Sequence, residues 1–157
     1  VQQTHDSYPE LELIQTESEC GNGENTWEYA LYIYELMHHY FRNGASAYMY
    51  WNMVLPAGGE SSWGWRQNSL VTVNEAQPQY NHEYYLMKHF AHFVKPGARY
   101  LQTHGAWSAN TTAFQNSDGT KVFVILNPLP QEIPVAVGGA SYTLQKNSLN
   151  TIVINQK

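Results

Sequence analysis

Charge is scarce in this sequence. Only 13% of its 157 residues are Asp, Glu, Lys or Arg, and the formal net charge is −5. Lys and Arg form no run, so no electrostatic footprint for nucleic acid or an anionic membrane surface is present. Long apolar runs are missing too, and no membrane span is expected, because crossing a bilayer takes roughly 20 such residues. The single cysteine, Cys20, excludes an internal disulfide framework. The seven histidines fall in no HExxH pattern and no CxxC occurs, so no metal site is expected. Internal repeats and low-complexity tracts are absent as well.

What is present is apolar and aromatic. Hydrophobic residues make up 43% of the chain, a globular composition rather than a disordered one. Five Trp and twelve Tyr raise the aromatic share to 14%. These side chains join a flat apolar face to a polar edge, which is the surface a sugar ring matches. Taken singly, each is also an ordinary core residue.

Periodicity divides the chain. Residues 10–17 alternate and then turn apolar, as a short buried strand does. Gly21-Asn22-Gly23-Glu24-Asn25 reads as a loop, Thr26 as the cap of a helix over 27–41, and Asn43-Gly44 as its left-handed stop. Residues 45–55 form a near-continuous apolar run between Gly44 and Pro56, suited to a strand covered on both faces. A loop rich in Gly, Ser and Trp follows, then a short strand over 70–73. Asn81 precedes a helix over 83–93 that closes at Lys95-Pro96-Gly97. Beyond it the pattern changes to short β-like runs over 99–104, 112–115, 121–127, 133–137, 142–144 and 149–154. Turn signals separate them, and Asp118-Gly119 is a strong hairpin signal. The expected organisation is an α/β part over 1–95, holding two βα units, and an antiparallel β-sandwich over 96–157. Two parallel strands cannot close a barrel, so a companion polypeptide completing that part is expected.

Several residues have the chemistry and the position to act. Glu17 ends the first predicted strand, where barrel enzymes carry catalytic groups, and a carboxylate there can attack an anomeric carbon. Glu19 is the same group in another register. Both also read as solvated loop acids. Trp51-Asn52 ends the second buried run, as a wall and a hydrogen-bonding post of a sugar subsite or as a core Trp beside a strand-end Asn. Trp63 and Trp65 sit in a polar loop, where exposed indoles are costly without a ligand or partner. Cys20 reads as a small thiol beside the strand end, and the histidines as packing or surface residues.

Four blocks, in this order, resemble glycoside hydrolase family 30, the glucosylceramidase-like retaining β-glycosidases. They are Gln15-Thr16-Glu17-Ser18-Glu19-Cys20-Gly21, Tyr48-Met49-Tyr50-Trp51-Asn52-Met53-Val54-Leu55, Trp63-Gly64-Trp65-Arg66-Gln67-Asn68, and the run from Tyr84 through His89-Phe90-Ala91-His92-Phe93-Val94-Lys95-Pro96-Gly97 to Ala98. The resemblance implies the last two βα units of a (β/α)₈ barrel (TIM barrel) followed by a β-sandwich. It implies Glu17 as the nucleophile, with Glu19 the alternative, and Trp51, Asn52, Trp63 and Trp65 as substrate-binding residues. The family's acid/base glutamate follows a strand with no counterpart in this chain. The implied substrate is a β-linked glucoside or oligosaccharide, of the β-glucosidase, glucosylceramidase or β-1,6-glucanase type, and no cofactor is implied. The compartment stays open, with secretion or a periplasmic location expected for the intact protein. A non-catalytic carbohydrate-binding β-sandwich is the competing reading.

Overall fold

Apolar residues spaced three and four apart make the longest element, α2 (Trp27–Arg42), and its buried stripe is Ala30, Ile33, Tyr34 and Met37. The Thr26 hydroxyl caps it, accepting from the Tyr29 amide at 3.2 Å. The helix ends at Asn43, and Gly44 takes the left-handed conformation (φ +95°) that turns the chain away. These elements come from a computed structural model that describes residues 1–17, 21–75 and 77–155. The chain divides into two compact units, Val1–Met87 and Lys88–Lys157, and the division falls within α3 (His82–Ala91).

In the first unit, α1 (Gln2–Ser7) precedes β1 (Leu13–Gln15), α2 and β2 (Ala45–Tyr48). β1 and β2 pair in parallel, Gln15 against Tyr48. A parallel pair needs a crossover, and α2 supplies it. A second sheet has the order β3-β4-β5, from β3 (Val54–Pro56), β4 (Val71–Asn74) and β5 (Gln77–Tyr80).

Two expectations need correction here. The strand expected over 10–17 is only three residues long, and Ile14 on it is 48% exposed rather than buried. The physical reason is that, among the described residues, β1 belongs to a sheet of two strands with β2 as its one neighbour. The apolar run over 45–55 is not one strand but two, in different sheets. Its first half pairs with β1, the last bond running from the Met49 amide to the Gln15 carbonyl at 2.9 Å. The carbonyls of Asn52 and Met53 then accept from the Leu70 and Val71 amides at 3.0 Å each, which delivers β3 to β4. Hydropathy does not reveal a change of partner. The third sheet member, β5, was not foreseen because Gln77, Pro78, Gln79 and Tyr80 are all exposed and carry no period-two pattern. Pro78 is tolerated because β5 lies at the sheet edge.

The second unit follows the turn signals closely. β6 (Arg99–Leu101), β7 (Thr111–Gln115), β8 (Lys121–Asn127) and β11 (Ser148–Ile154) form an antiparallel sheet of order β11-β8-β7-β6. β9 (Ile133–Val137) and β10 (Ala140–Leu144) form a separate hairpin. Side chains alternate across β8. Val122 and Phe114 are register partners on one face, and the end of α3 lies there: Phe90 meets Phe114 edge-on at 6.3 Å, and His89 Nδ1 lies 2.7 Å from Thr151 Oγ1. On the other face Ile125 and Ile152 close on Leu144 of the hairpin, with Trp107 and Phe123 at the margin. Burying each such aliphatic side chain stabilises by roughly 1.5–3 kcal/mol. Two buried asparagines fasten the loops. Asn116 donates to the Phe93 carbonyl at 3.0 Å and accepts from the Lys95 amide at 2.9 Å. Asn127 donates to the Gln131 and Gln145 carbonyls at 2.8 Å each.

Candidate active site

Because β1 and β2 are parallel, their carboxyl ends share one edge. Glu17 follows β1 by two residues and is exposed, its carbonyl accepting from Gln15 Nε2 at 2.6 Å. Glu19 and Cys20 lie outside the described residues. Trp51 and Asn52 follow β2 by three and four residues. The Trp51 ring is 44% exposed, and Asn52 Nδ2 donates to Gln67 Oε1 and to the Asn68 carbonyl, both at 3.3 Å. The parallel register thus brings the Glu17 strand end and the Trp51-Asn52 strand end to the same edge.

Trp63 and Trp65 occupy a separate loop tip. A Glu60–Arg66 bridge and a 2.9 Å bond from the Ser61 amide to the Trp65 carbonyl close its base. Ser61 Oγ accepts from the amides of both tryptophans at 3.3 Å. Their rings lie 5.5 Å apart, and they are 76% and 62% exposed. Two indoles held side by side in water form a platform for an apolar or sugar face.

Sequence reasoning missed what holds this edge together. Asn68 is fully buried, and it donates to Glu83 Oε1 at 2.7 Å and accepts from the Gly23 amide at 2.7 Å. Glycine is required beside it: a Cβ added at Gly21, which has φ +71°, would come within 2.5 Å of the Asn68 side chain. Asn68 therefore joins the loop after β1, the Asn52 end of the β2 segment and the first turn of α3. Glu83 is itself fully buried, and among the described residues its Oε2 has no hydrogen-bond partner. Burial pushes its carboxyl above the ordinary glutamate range, against the opposing effect of the hydrogen bond from Asn68. An acid in the first turn of a helix carries no mark in the sequence that separates it from a solvated one. Only its partners reveal it.

Next to this network lies a cleft of about 560 Å³. Its walls are the loop after β1, the segment after β3 and the β5–α3 junction, with Trp27, Tyr80, His82 and Tyr85 as its aromatic lining. Gln67, the partner of Asn52, also lines it. Trp27 and His82 are 6.0 Å apart, and Tyr84 sits 4.5 Å from Tyr80 and 5.4 Å from Tyr85. Asn81 braces the floor, donating to the Ser69 carbonyl at 2.8 Å and to Thr72 Oγ1 at 2.9 Å.

Residues 97–152 match the glycosyl hydrolase family 30 beta sandwich domain. Putative glucosylceramidase 2 of Caenorhabditis elegans is 29% identical over 141 residues, covering 82% of this chain and 27% of that protein. The endo-1,6-beta-D-glucanase of Neurospora crassa is 36% identical over 81 residues, 46% of this chain and 17% of that protein. Among solved structures, the endo-β1,6-glucanase BT3312 superposes with a TM-score of 0.82 at 25% identity, over 98% of this chain and 38% of that one. SrfJ from Salmonella typhimurium shares the fold, with a TM-score of 0.84 at 24% identity over 99% of this chain and 38% of that one. The chain thus spans about a quarter of the length of the first curated relatives it matches. Residues 97–152 are thus a glycoside hydrolase family 30 β-sandwich domain.

Proposed function

We propose that this chain is the C-terminal part of a retaining β-glycoside hydrolase, of the β-glucosidase, glucosylceramidase or β-1,6-glucanase type, and that Glu17 is its nucleophile. Residues 1–95 contribute the last two βα units of a (β/α)₈ barrel, and residues 96–157 the β-sandwich. The remaining strands, and the acid/base glutamate, come from polypeptide beyond these residues. The observation that carries the reading is the shared carboxyl edge of β1 and β2, with an acid after one strand and a Trp-Asn pair after the other. Catalytic groups of barrel enzymes lie at that edge.

In this mechanism the Glu17 carboxylate attacks the anomeric carbon while the second carboxylic acid protonates the departing oxygen. The glycosyl-enzyme ester that results is hydrolysed by water, which the same second group deprotonates. The two carboxyl groups then stand roughly 5–5.5 Å apart. Trp51 forms an apolar wall for the ring and Asn52 a polar post, while Trp63 and Trp65 extend the aromatic surface.

A 2-fluoro-β-glucoside that traps the glycosyl-enzyme tests this in the assembled protein. Peptide mapping should find the label on Glu17, and Glu17→Gln should lower kcat by at least about 10³-fold. A label on Glu19 moves the nucleophile two residues along. Absence of any label, in a protein that still binds the sugar, refutes the catalytic role. The 157-residue chain alone should show no turnover.

A further inference from the structure

We propose that the cleft bounded by Trp27, Tyr80 and Tyr85 is a distal saccharide subsite, which takes a neutral sugar unit remote from the bond that is cleaved. Three observations support it. The first is position. The cleft is walled by segments that follow β1 and β3, and it shares Gln67 with Asn52. Ligands of open α/β folds bind beyond the carboxyl ends of strands, so this cleft continues the Trp51-Asn52 edge instead of opening elsewhere on the unit.

The second observation is shape and surface. A volume of about 560 Å³ lies within the range of small-ligand sites. Tyr80 and Tyr85 are 49% and 52% exposed, although both stand against the Tyr84 ring. Half-exposed rings propped by a third ring, at the mouth of a cleft, offer flat apolar faces with little freedom to lose on binding.

The third is charge. Among the described residues the lining contains no Lys or Arg, and its carboxylate is that of Glu24, which accepts from Asn22 at 2.9 Å. The amides of Gln67 and Gln79 complete a neutral rim. His82 Nδ1 lies 3.0 Å from the Asn25 carbonyl, so that nitrogen carries a proton and points away from an incoming acceptor. An acid with no compensating cation rejects phosphates and sugar acids, while amides and rings accept hydroxyls and CH faces. The occupant is therefore a neutral sugar. That it is β-linked glucose rests on the proposed function.

Gentiotriose, a β-1,6-linked glucose trimer, is the probe, titrated into the ¹⁵N-labelled 157-residue chain. Shifts should appear at the amides of Gln79, Tyr80 and His82. The double variant Tyr80→Ala with Tyr85→Ala should weaken binding at least tenfold. Tyr80→Leu, which keeps apolar bulk against Tyr84, should weaken it several-fold with the melting temperature held. Val153→Ala, at an exposed position of the second unit, should change affinity less than twofold. No shift at these amides at millimolar trisaccharide overturns the inference, as does affinity that falls with Trp51→Ala but not with Tyr80→Leu. Equal shifts with inorganic phosphate overturn it too, since the cleft would then be an anion site. None of these results bears on Glu17, whose role stands or falls on the fluoroglycoside label.

Discussion

Among the described residues, the second unit leaves one large apolar side chain well exposed, Val153 at 42%, while the first leaves thirteen, Met53 at 72% and Leu11 at 54% among them. The second unit has a four-stranded sheet covered on one face by the end of α3 and on the other by the β9–β10 hairpin. The first has sheets of two and three strands and presents Ile14, Met49 and Val54 to solvent. Exposed apolar surface of this extent is found at partner interfaces and at ligand sites alike. The second unit is a layer structure covered on both faces, and the first leaves much of its apolar surface uncovered. That contrast accords with a chain that spans 38% of its structural neighbours.

The comparison can be broken by experiment. The largest effect is expected in the sandwich core: Ile125→Ala should destabilise the second unit by about 2–5 kcal/mol in chemical denaturation. Ile14→Ala should cost no more than about 0.5 kcal/mol in this chain. Similar losses at the two positions would show that β1 is buried as firmly as β8. Next comes Asn127→Ala, expected to cost about 1–3 kcal/mol, since it removes a fully buried amide that donates to the Gln131 and Gln145 carbonyls.

A smaller effect concerns pH. The Glu83 carboxyl is raised in the folded unit, chiefly by burial. Its stabilising contribution is therefore complete below the ordinary glutamate range and is lost as pH rises through the raised value. The first unit should melt at lower temperature as pH rises across that window, and Glu83→Gln should flatten the dependence without losing the acceptor for Asn68. A flat profile in the unsubstituted protein would contradict the buried acid. The smallest effect belongs to Lys95–Asp118 on the second unit's surface. Lys95 holds the Asp118 carboxyl well below the usual carboxylate range, so the pair's contribution is lost only in strong acid. Both groups are exposed, and Lys95→Met should leave the melting temperature at neutral pH unresolvably changed.

Legibility in the sequence follows the same division. All six β-runs of the second unit appear at or within a few residues of their expected places. Each strand there is bounded by local turn chemistry: Gly119 at φ +86° donates to the Asn116 carbonyl and closes the β7–β8 hairpin. Local signals are what a sequence states openly. α2 was legible for the same reason, through its spacing and the Thr26 cap. In the first unit the missing information is non-local. The apolar run over 45–55 does not announce that its halves serve different sheets, and Gln77-Pro78-Gln79-Tyr80 forms a strand because β4 offers it an edge. Among the candidate site residues, Glu17, Trp51 and Asn52 could be picked out as strand-end groups. The Gly23–Asn68–Glu83 chain of hydrogen bonds could not, because its members are separated by 45 and 15 positions.

The tryptophans make the molecule its own optical reporter. Trp63 and Trp65 stand in water side by side, whereas the Trp107 ring packs against the sandwich core and its Nε1 donates to the Leu126 carbonyl at 3.0 Å. A small polar quencher should dim the first pair at low concentration and reach the third only when the sandwich opens. Emission colour and quenching together therefore read the exposed indole pair and melting of the β-domain as separate signals from one sample.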